Sequence, residues 1–205
     1  LSLHELGAAC KLCIGIYSSS TIGLVLAVVM AVRARSGEPV SATTDDVEER
    51  MSPPAKARRV DPDAMEPDEA RRCREILHRH ESEGAERAVL FEGVLAFLDR
   101  LRQAGIRQAV WTRNGRGVAE RTLARLGMTF DRVVTRDDGP AKPDPTAIWE
   151  IRNDWRVYCR QMVLIGDYVF DLEAARRAGI RGVLFTAGAE PQACEGHELA
   201  DFHFR

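Results

Sequence analysis

Two carboxylates four residues apart, Asp167 and Asp171, are the side chains of this sequence best suited to chemistry. They follow an apolar run at residues 162–165, which is typical of a buried strand, and they open a helical pattern closed by Gly179. In a parallel α/β sheet, ligands bind at the carboxyl ends of the strands, where both acids are expected. Acids this close repel each other unless one is protonated or a cation such as Mg²⁺ lies between them. Alternatively, Asp171 caps the helix and Asp167 forms a turn.

Two further strand ends carry polar side chains. Thr112 ends an apolar strand and is followed by Arg113, Asn114 and a helix whose free backbone N–H groups can hold an anion. Lys142 lies in a proline-containing loop before another helix. A hydroxyl, backbone donors, an ammonium and two acids for a metal suit a phosphate dianion. Each group also has a structural alternative, Thr112 as a helix cap and Lys142 as a surface charge, but their order at successive strand ends favours a site.

A regular alternation of helices and strands must position these groups. The apolar patterns predict helices at residues 67–85, 93–105, 118–126, 145–155 and 172–178. They predict strands at residues 106–112, 130–135, 162–165 and 182–186, with a short edge strand at 200–204. Strands separated by helices of this length indicate right-handed β-α-β crossovers, and therefore an α/β fold with a parallel sheet.

The stretch at residues 12–32 has 21 residues without a charge, a length that would span a bilayer or serve as a signal sequence. Four hydroxyl residues at 18–21 interrupt it, and its strongly apolar part, residues 24–32, suits a buried parallel strand. We predict that residues 24–32 form the central strand, between the strands that end at Thr112 and Ile165. A membrane anchor is the alternative.

The composition of the sequence limits the number of domains, the kind of partner and the cellular location. The 205 residues, of which 45% are hydrophobic, predict one main domain with a small accessory unit. A net charge of −2 gives no electrostatic reason to expect a nucleic-acid partner. Five cysteines at irregular spacings do not form a disulfide framework and favour a reducing, cytoplasmic location.

The sequence resembles the haloacid dehalogenase-like hydrolase superfamily, specifically its small-capped phosphatases of the phosphoglycolate phosphatase type. The resemblance rests on three motifs in the family's order: Thr112-Arg113-Asn114, Lys142-Pro143 with Pro145, and Gly166-Asp167 with Asp171. It implies a Rossmann-like three-layer α/β/α parallel sheet over residues 24–205. It also implies a small helical cap at about residues 62–88, and leaves residues 1–23 as an N-terminal extension of unclear role.

The resemblance further implies a Mg²⁺-dependent phosphomonoesterase that acts on small phosphorylated metabolites through an aspartyl phosphate. Thr112, Lys142 and Asp167 would then be catalytic. Arg113 and Asn114 would bind substrate together with Thr112 and Lys142, and Asp167 and Asp171 would hold the metal. Neither a nucleic acid nor a membrane is expected as a partner.

The family's first motif, D-x-D-x-T at the end of the first strand, has no match in this sequence. On the best placement, Ala31 stands at the position of the nucleophile, Arg33 at that of the acid/base and Arg35 at that of the threonine. A second placement at residues 14–21 has no aspartate either. Alanine has no lone pair for attack, so we predict an impaired or inactive enzyme. The alternatives are a non-catalytic phosphate-binding regulatory relative, or an N-terminal sequence that differs from that of the native enzyme. We also expect Arg33 to pair with Asp167 and to weaken or replace Mg²⁺, and the alternative is that Arg33 points to solvent.

Overall fold

The computed structural model describes residues 27–31, 66–91, 93–186 and 189–204. The helices and strands of this part, in chain order, are β1 (Ala27–Ala31), α1 (Pro67–Arg87), α2 (Val94–Gln103), β2 (Arg107–Trp111), α3 (Arg116–Arg125), β3 (Arg132–Val134), α4 (Thr146–Trp155), β4 (Met162–Gly166), α5 (Val169–Ala178), β5 (Arg181–Phe185) and β6 (Phe202–Phe204). The predicted helices and strands are confirmed, with ends that shift by a few residues.

The six strands form one sheet in the order β3-β2-β1-β4-β5-β6. The pairs β2–β3, β4–β5 and β5–β6 are parallel, whereas β1 is antiparallel to both of its neighbours. Five strands therefore run in one direction and the central strand runs in the other.

Helices cover both faces of the sheet. Consecutive residues of a strand point to opposite faces, so buried neighbours in one strand belong to different apolar layers. Val110 and Trp111 of β2 are both buried, yet they belong to different apolar clusters. The Trp111 cluster packs against α4 and α5 and includes Ile148, Ile151, Leu164 and Ala174. The Val110 cluster packs against α2 and α3 and includes Leu98, Leu123 and Met128. This arrangement confirms the three-layer α/β/α fold.

The spacing of apolar residues explains which face each helix buries. In α4 the buried residues Ala147, Ile148, Ile151 and Trp155 recur at helical spacing and form one stripe toward the sheet. Ile148 and Ile151 are fully buried, and each such side chain stabilises the fold by about 1.5–3 kcal/mol relative to leaving it exposed.

The predicted central strand is found in the predicted place, between β2 and β4, although only Ala27–Ala31 of residues 24–32 are described. The rest of the uncharged stretch at residues 12–32 lies outside the described residues. Within the described ranges, none of the helices combines the length and apolar character that crossing a bilayer requires.

The direction of β1 differs from the prediction and corrects the placement of Ala31. Ala27 pairs with Trp111, while Ala31 pairs with Arg107 and Met162, where β2 and β4 begin. Ala31 therefore lies at the end of the sheet opposite to Thr112. The physical reason is that an apolar run has the same pattern in both directions, and either pairing satisfies its backbone groups. Arg33, Arg35 and the expected contact of Arg33 with Asp167 lie outside the described residues.

The direction of β1 can be tested by nuclear magnetic resonance on an isotope-labelled sample. We expect nuclear Overhauser effects between backbone protons of Ala27 and Trp111, and between those of Ala31 and Arg107, because these residues face each other. The β2–β3 pair provides an internal reference for the contacts that a parallel pair of strands gives. Contacts that join Ala31 to Trp111 would instead indicate a parallel β1.

Candidate active site

A cavity of about 160 Å³ lies at the carboxyl ends of the parallel strands. The loops after β2, β3 and β4 line it, together with α1. It is smaller than the roughly 300–1,000 Å³ of pockets for drug-sized ligands, so it suits a small molecule. Thr112, Lys142 and Asp171 all line this cavity, as the sequence predicts.

A buried ion pair lies at the base of this site. Lys142 Nζ is 2.6 Å from Asp171 Oδ1, and the two side chains are 3% and 2% exposed. The ammonium also donates a hydrogen bond of 2.9 Å to the backbone carbonyl of Trp111, at the end of β2. Charges this far from water persist only when they neutralise each other. The alternative interpretation of Lys142 as a surface charge is therefore wrong.

Asp171 has a second oxygen, Oδ2, that is buried without a hydrogen-bond partner in the described part of the chain. The side chain packs directly on Gly166, since a Cβ added at that glycine would be 2.6 Å from Oδ2. Asp171 is inside the first turn of α5, whose N-cap is Tyr168, and its carboxylate contacts Lys142. The interpretation of Asp171 as a helix cap is therefore wrong.

Asp167 lies in the loop between β4 and α5; the residue as a whole is exposed, but protein atoms surround its carboxyl group. Desolvation of its carboxyl group and the negative charge of Asp171 raise its pKa to about 6, while the Lys142 ammonium opposes the shift. Asp167 therefore holds its negative charge less readily than an ordinary surface aspartate does.

Asp167 and Asp171, the two predicted metal ligands, lie near enough for the charge of Asp171 to raise the pKa of Asp167. The unpartnered Oδ2 of Asp171 and the carboxylate of Asp167 are oxygen ligands of the kind that Mg²⁺ takes. Across residues 66–91, 93–186 and 189–204, no three His, Cys, Asp or Glu side chains converge on one point. Asp171 lines the cavity, whereas Asp167 is not among its lining residues, so the described residues do not by themselves form a complete metal site.

Thr112 and Asn114 are buried beside the ion pair, with 4% and 7% of their surface exposed. The backbone N–H of Asn114 donates to Thr112 Oγ1 at 3.2 Å. The N-cap of α3 is Gly115 and has no side-chain cap, so Thr112 does not serve as the predicted alternative, a helix cap. Arg113 is exposed, and its guanidinium lies 5.9 Å from the centre of the Phe170 ring.

Sequence reasoning missed Glu81 of α1, which lines the cavity and is 4% exposed. Its carboxylate pairs with Arg136, with one contact at 3.3 Å to Nη2, and accepts a hydrogen bond of 3.3 Å from the backbone N–H of Gly115. Glu81 therefore joins α1 to the loops after β2 and β3. It is one acid among several in a charged helix, so the sequence carries no signal that distinguishes it.

A second missed group is the loop after β3. Thr135 is 2% exposed, and its side chain and that of Asp138 cap a short 3₁₀ turn in the reciprocal capping-box arrangement. Asp138 also pairs with Arg116 at 2.6 Å, which holds the start of α3 to this loop. The spacing of threonine and aspartate at a strand end is a signal that could have identified this turn.

Comparison with known proteins supports one family. Residues 20–185 match the model of a family described as haloacid dehalogenase-like hydrolase, which is more than half of the chain. The phosphoglycolate phosphatase of Rhodobacter capsulatus is 32% identical over 137 residues, which cover 62% of this chain and 61% of that protein. A plasmid-encoded phosphoglycolate phosphatase of Cupriavidus necator is 38% identical over 109 residues, which cover 51% of this chain and 47% of that protein. The chain thus spans about half to three-fifths of the length of these relatives.

Solved structures have the same fold. The crystal structure of a hydrolase from Pseudomonas syringae superposes with a TM-score of 0.61 at 22% identity, over 70% of this chain and 68% of that one.

The contact between Gly166 and Asp171 generates a test by substitution. We expect Gly166→Ala to destabilise the fold by about 1–3 kcal/mol, because the new methyl group would overlap Asp171 and force it away from Lys142. Urea unfolding measures this cost.

Gly117→Ala in α3 is the matched control, because its Cβ would meet only Arg121 Nη1, at 3.5 Å. Because Gly117 lies in the first turn of α3, this change should stabilise the chain by at most roughly 0.5–1 kcal/mol, the gain for alanine over glycine in the middle of a helix. Equal effects of the two substitutions would contradict the close packing of Asp171 on Gly166.

The raised pKa of Asp167 can be tested by the dependence of stability on pH. The folded chain binds this proton more tightly than the unfolded chain, so the contribution of Asp167 to stability falls as pH rises from 3.8 to about 6. We therefore expect Asp167→Asn to gain stability relative to the unmodified chain across this window and to keep that gain at pH 7. Urea unfolding at a series of pH values measures the difference.

Asp138 provides a control whose pKa is shifted in the opposite direction. Hydrogen bonding to the Arg116 guanidinium lowers its pKa from 3.8 to about 2, so its stabilising contribution is present above pH 3.8 and lost as pH falls toward 2. Asp138→Asn should therefore be less stable than the unmodified chain at pH 7. A stability difference for Asp167→Asn that does not change with pH would contradict the raised pKa.

Proposed function

This chain belongs to the haloacid dehalogenase-like hydrolase family, and on that premise we propose that its cavity binds and hydrolyses small phosphomonoesters. The observation that carries the proposal is the buried Lys142–Asp171 pair beside Thr112, at the carboxyl ends of the parallel strands. It supplies a fixed ammonium and a hydroxyl at the bottom of a small cavity, which suits a phosphoryl group. The relatives named phosphoglycolate phosphatase support a small, acidic metabolite as substrate.

Each group has a role that follows from its position. The Thr112 hydroxyl and the backbone N–H groups near Asn114 would donate to the phosphoryl oxygens, at the start of a helix that favours anions. The Lys142 ammonium would stabilise the negative charge of the phosphoryl group, and Asp171 positions that ammonium through the contact of 2.6 Å. The helix α1 would form the cap, because Leu77 and Glu81 line the same cavity.

Asp167 and Asp171 would hold Mg²⁺, which supplies electrostatic stabilisation of the phosphoryl oxygens when it is bound. The buried Oδ2 of Asp171, which no described donor reaches, supports this assignment.

A cytoplasmic location stays a prediction of the cysteine pattern.

A second candidate function is phosphate binding without turnover. Two observations favour it: the sequence has no D-x-D motif at its first strand, and Ala31 lies at the opposite edge of the sheet from Thr112. Phosphate recognition uses Thr112 and Lys142 and so survives the loss of a nucleophile, whereas hydrolysis does not.

The first expected result is that millimolar inorganic phosphate raises the melting temperature, because a ligand that binds only the folded chain stabilises it by mass action. Lys142→Ala should abolish this shift. That variant leaves Asp171 buried and unpaired, at a cost of about 3–5 kcal/mol, so the double variant Lys142→Gln with Asp171→Asn should be measured beside it. The exposed Arg100 on α2 gives a control, since Arg100→Ala removes a positive charge that does not line the cavity and should keep the shift.

Hydrolysis of p-nitrophenyl phosphate with and without Mg²⁺ then separates the two candidates. Turnover that requires Mg²⁺ supports the phosphatase, and a phosphate-dependent shift without turnover supports the binding protein. A melting temperature that does not respond to phosphate, or that responds equally in the Lys142 variants, contradicts both.

A further inference from the structure

The carboxylate of Glu81 occupies donor groups beside the cavity that an anionic ligand would also use. Its two oxygens accept from the two terminal nitrogens of the Arg136 guanidinium, and the contact to Nη2 is 3.3 Å. Its Oε2 also accepts a hydrogen bond of 3.3 Å from the backbone N–H of Gly115, the N-cap of α3. A guanidinium and a backbone N–H at the start of a helix are groups that bind phosphate in proteins. Glu81 therefore binds them in the way that an anionic ligand would.

Arg136 is held at the cavity by contacts that do not involve Glu81. Its backbone N–H donates to the Asn114 carbonyl at 3.2 Å, and its Nη1 donates to the Arg113 carbonyl at 3.3 Å. Its Nη2 lies close to Gly115, since a Cβ added at that glycine would be 3.1 Å from it. The position of this guanidinium at the cavity therefore does not depend on Glu81 alone.

Glu81, in contrast, belongs to α1, the helix that we assign to the cap. It is the charged member of the three buried residues of α1, the others being Ala70 and Gly84. It also lines the same cavity as Thr112 and Lys142, so its negative charge lies near the proposed position of the phosphoryl group. Like charges that approach each other in such a site are strongly unfavourable. The contact of Glu81 with Arg136 and the binding of a phosphate dianion therefore oppose each other.

We propose that Glu81 competes with the anionic ligand for Arg136 and for the Gly115 amide, and that Arg136 is a further ligand-binding residue whose availability Glu81 controls. This inference rests on the proposed function, because it assumes that the cavity binds a phosphoryl group. Coupling between two binding events is reciprocal. If the contact of Glu81 lowers the affinity for phosphate, phosphate weakens that contact, and with it the docking of α1, by the same factor.

The first test measures the affinity for inorganic phosphate by isothermal titration calorimetry at constant ionic strength. Glu81→Gln should bind phosphate about tenfold more tightly than the unmodified chain, a usual size for coupling between two sites. Glu81→Asp keeps the charge but is one methylene too short to hold both partners, so it should show part of the gain. Glu86→Gln is the matched control, because Glu86 is an exposed acid of the same helix that does not line the cavity, and its affinity should not change.

The role of Arg136 is tested in the Glu81→Gln background. Adding Arg136→Gln should remove the gain in affinity, because the ligand then loses the guanidinium that Glu81→Gln has made available. Adding Arg100→Gln instead removes an exposed positive charge of α2 that does not line the cavity, and it should keep the gain. Circular dichroism confirms that each variant is folded.

The second test needs no variant and measures hydrogen–deuterium exchange of the unmodified chain by mass spectrometry. Saturating phosphate should slow exchange in β2 and α3, which carry the binding groups, and should speed up exchange in α1. In Glu81→Gln, exchange in α1 should already be fast without phosphate and should not rise further. A residue that only stabilises the fold would not produce these opposite responses to one ligand.

Three outcomes overturn the inference and leave the proposed function in place. The first is an affinity of Glu81→Gln no higher than that of the unmodified chain. The second is a gain in Glu81→Gln with none in Glu81→Asp, which would reduce the effect of Glu81 to its charge. The third is slower exchange in α1 when phosphate binds, which would mean that the ligand and Glu81 hold α1 together. If phosphate does not bind the unmodified chain, the proposed function is wrong, and the inference is wrong with it.

Discussion

The contact between Lys142 and Asp171 is the interaction on which the site depends. Removing two charges from water costs several kcal/mol for each ion, and the contact of 2.6 Å, with the hydrogen bond to the Trp111 carbonyl, offsets that cost. Lys142 comes from the loop before α4, Asp171 from the first turn of α5 and Trp111 from the end of β2. The pair therefore fixes three separate segments at one edge of the sheet, and Gly166 is required because a side chain there would displace Asp171.

The helix α1 is held to this framework by polar groups. Only Ala70, Glu81 and Gly84 of its 21 residues are buried, so it has little apolar surface with which to pack. Glu81 contacts Arg136 and the Gly115 backbone, and Arg125 of α3 donates to the Ala85 carbonyl at 2.7 Å. Hydrogen bonds and an ion pair, rather than a buried apolar stripe, therefore join α1 to α3 and to the loops of the site.

The sequence predicts most of this fold because periodicity is a local property. The spacing of apolar residues identifies the helices and the strands. Ligands bind at the carboxyl ends of parallel strands, and this rule places Thr112, Lys142 and Asp171 at one edge of the sheet. The direction of β1 was not predictable, because its apolar run is symmetric. The choice of partner for Asp171 was not predictable either, because it depends on which loops approach each other in space. The same reason explains why Glu81, which contacts a loop 34 residues away along the chain, was missed.

The reversed β1 changes how the missing first motif should be understood. The four steps from Ala31 to Ala27 span roughly 13 Å at the rise of a strand, so Ala31 lies about that far from the edge that holds Thr112 and Asp171. An aspartate at position 31 could not reach a phosphoryl group held by Lys142 in this fold, because its side chain is much shorter than that distance. The segment that adjoins the site edge is instead the beginning of β1, where Ala27 pairs with Trp111. A carboxylate at residue 31 would therefore serve catalysis only if β1 ran parallel to β2 and β4.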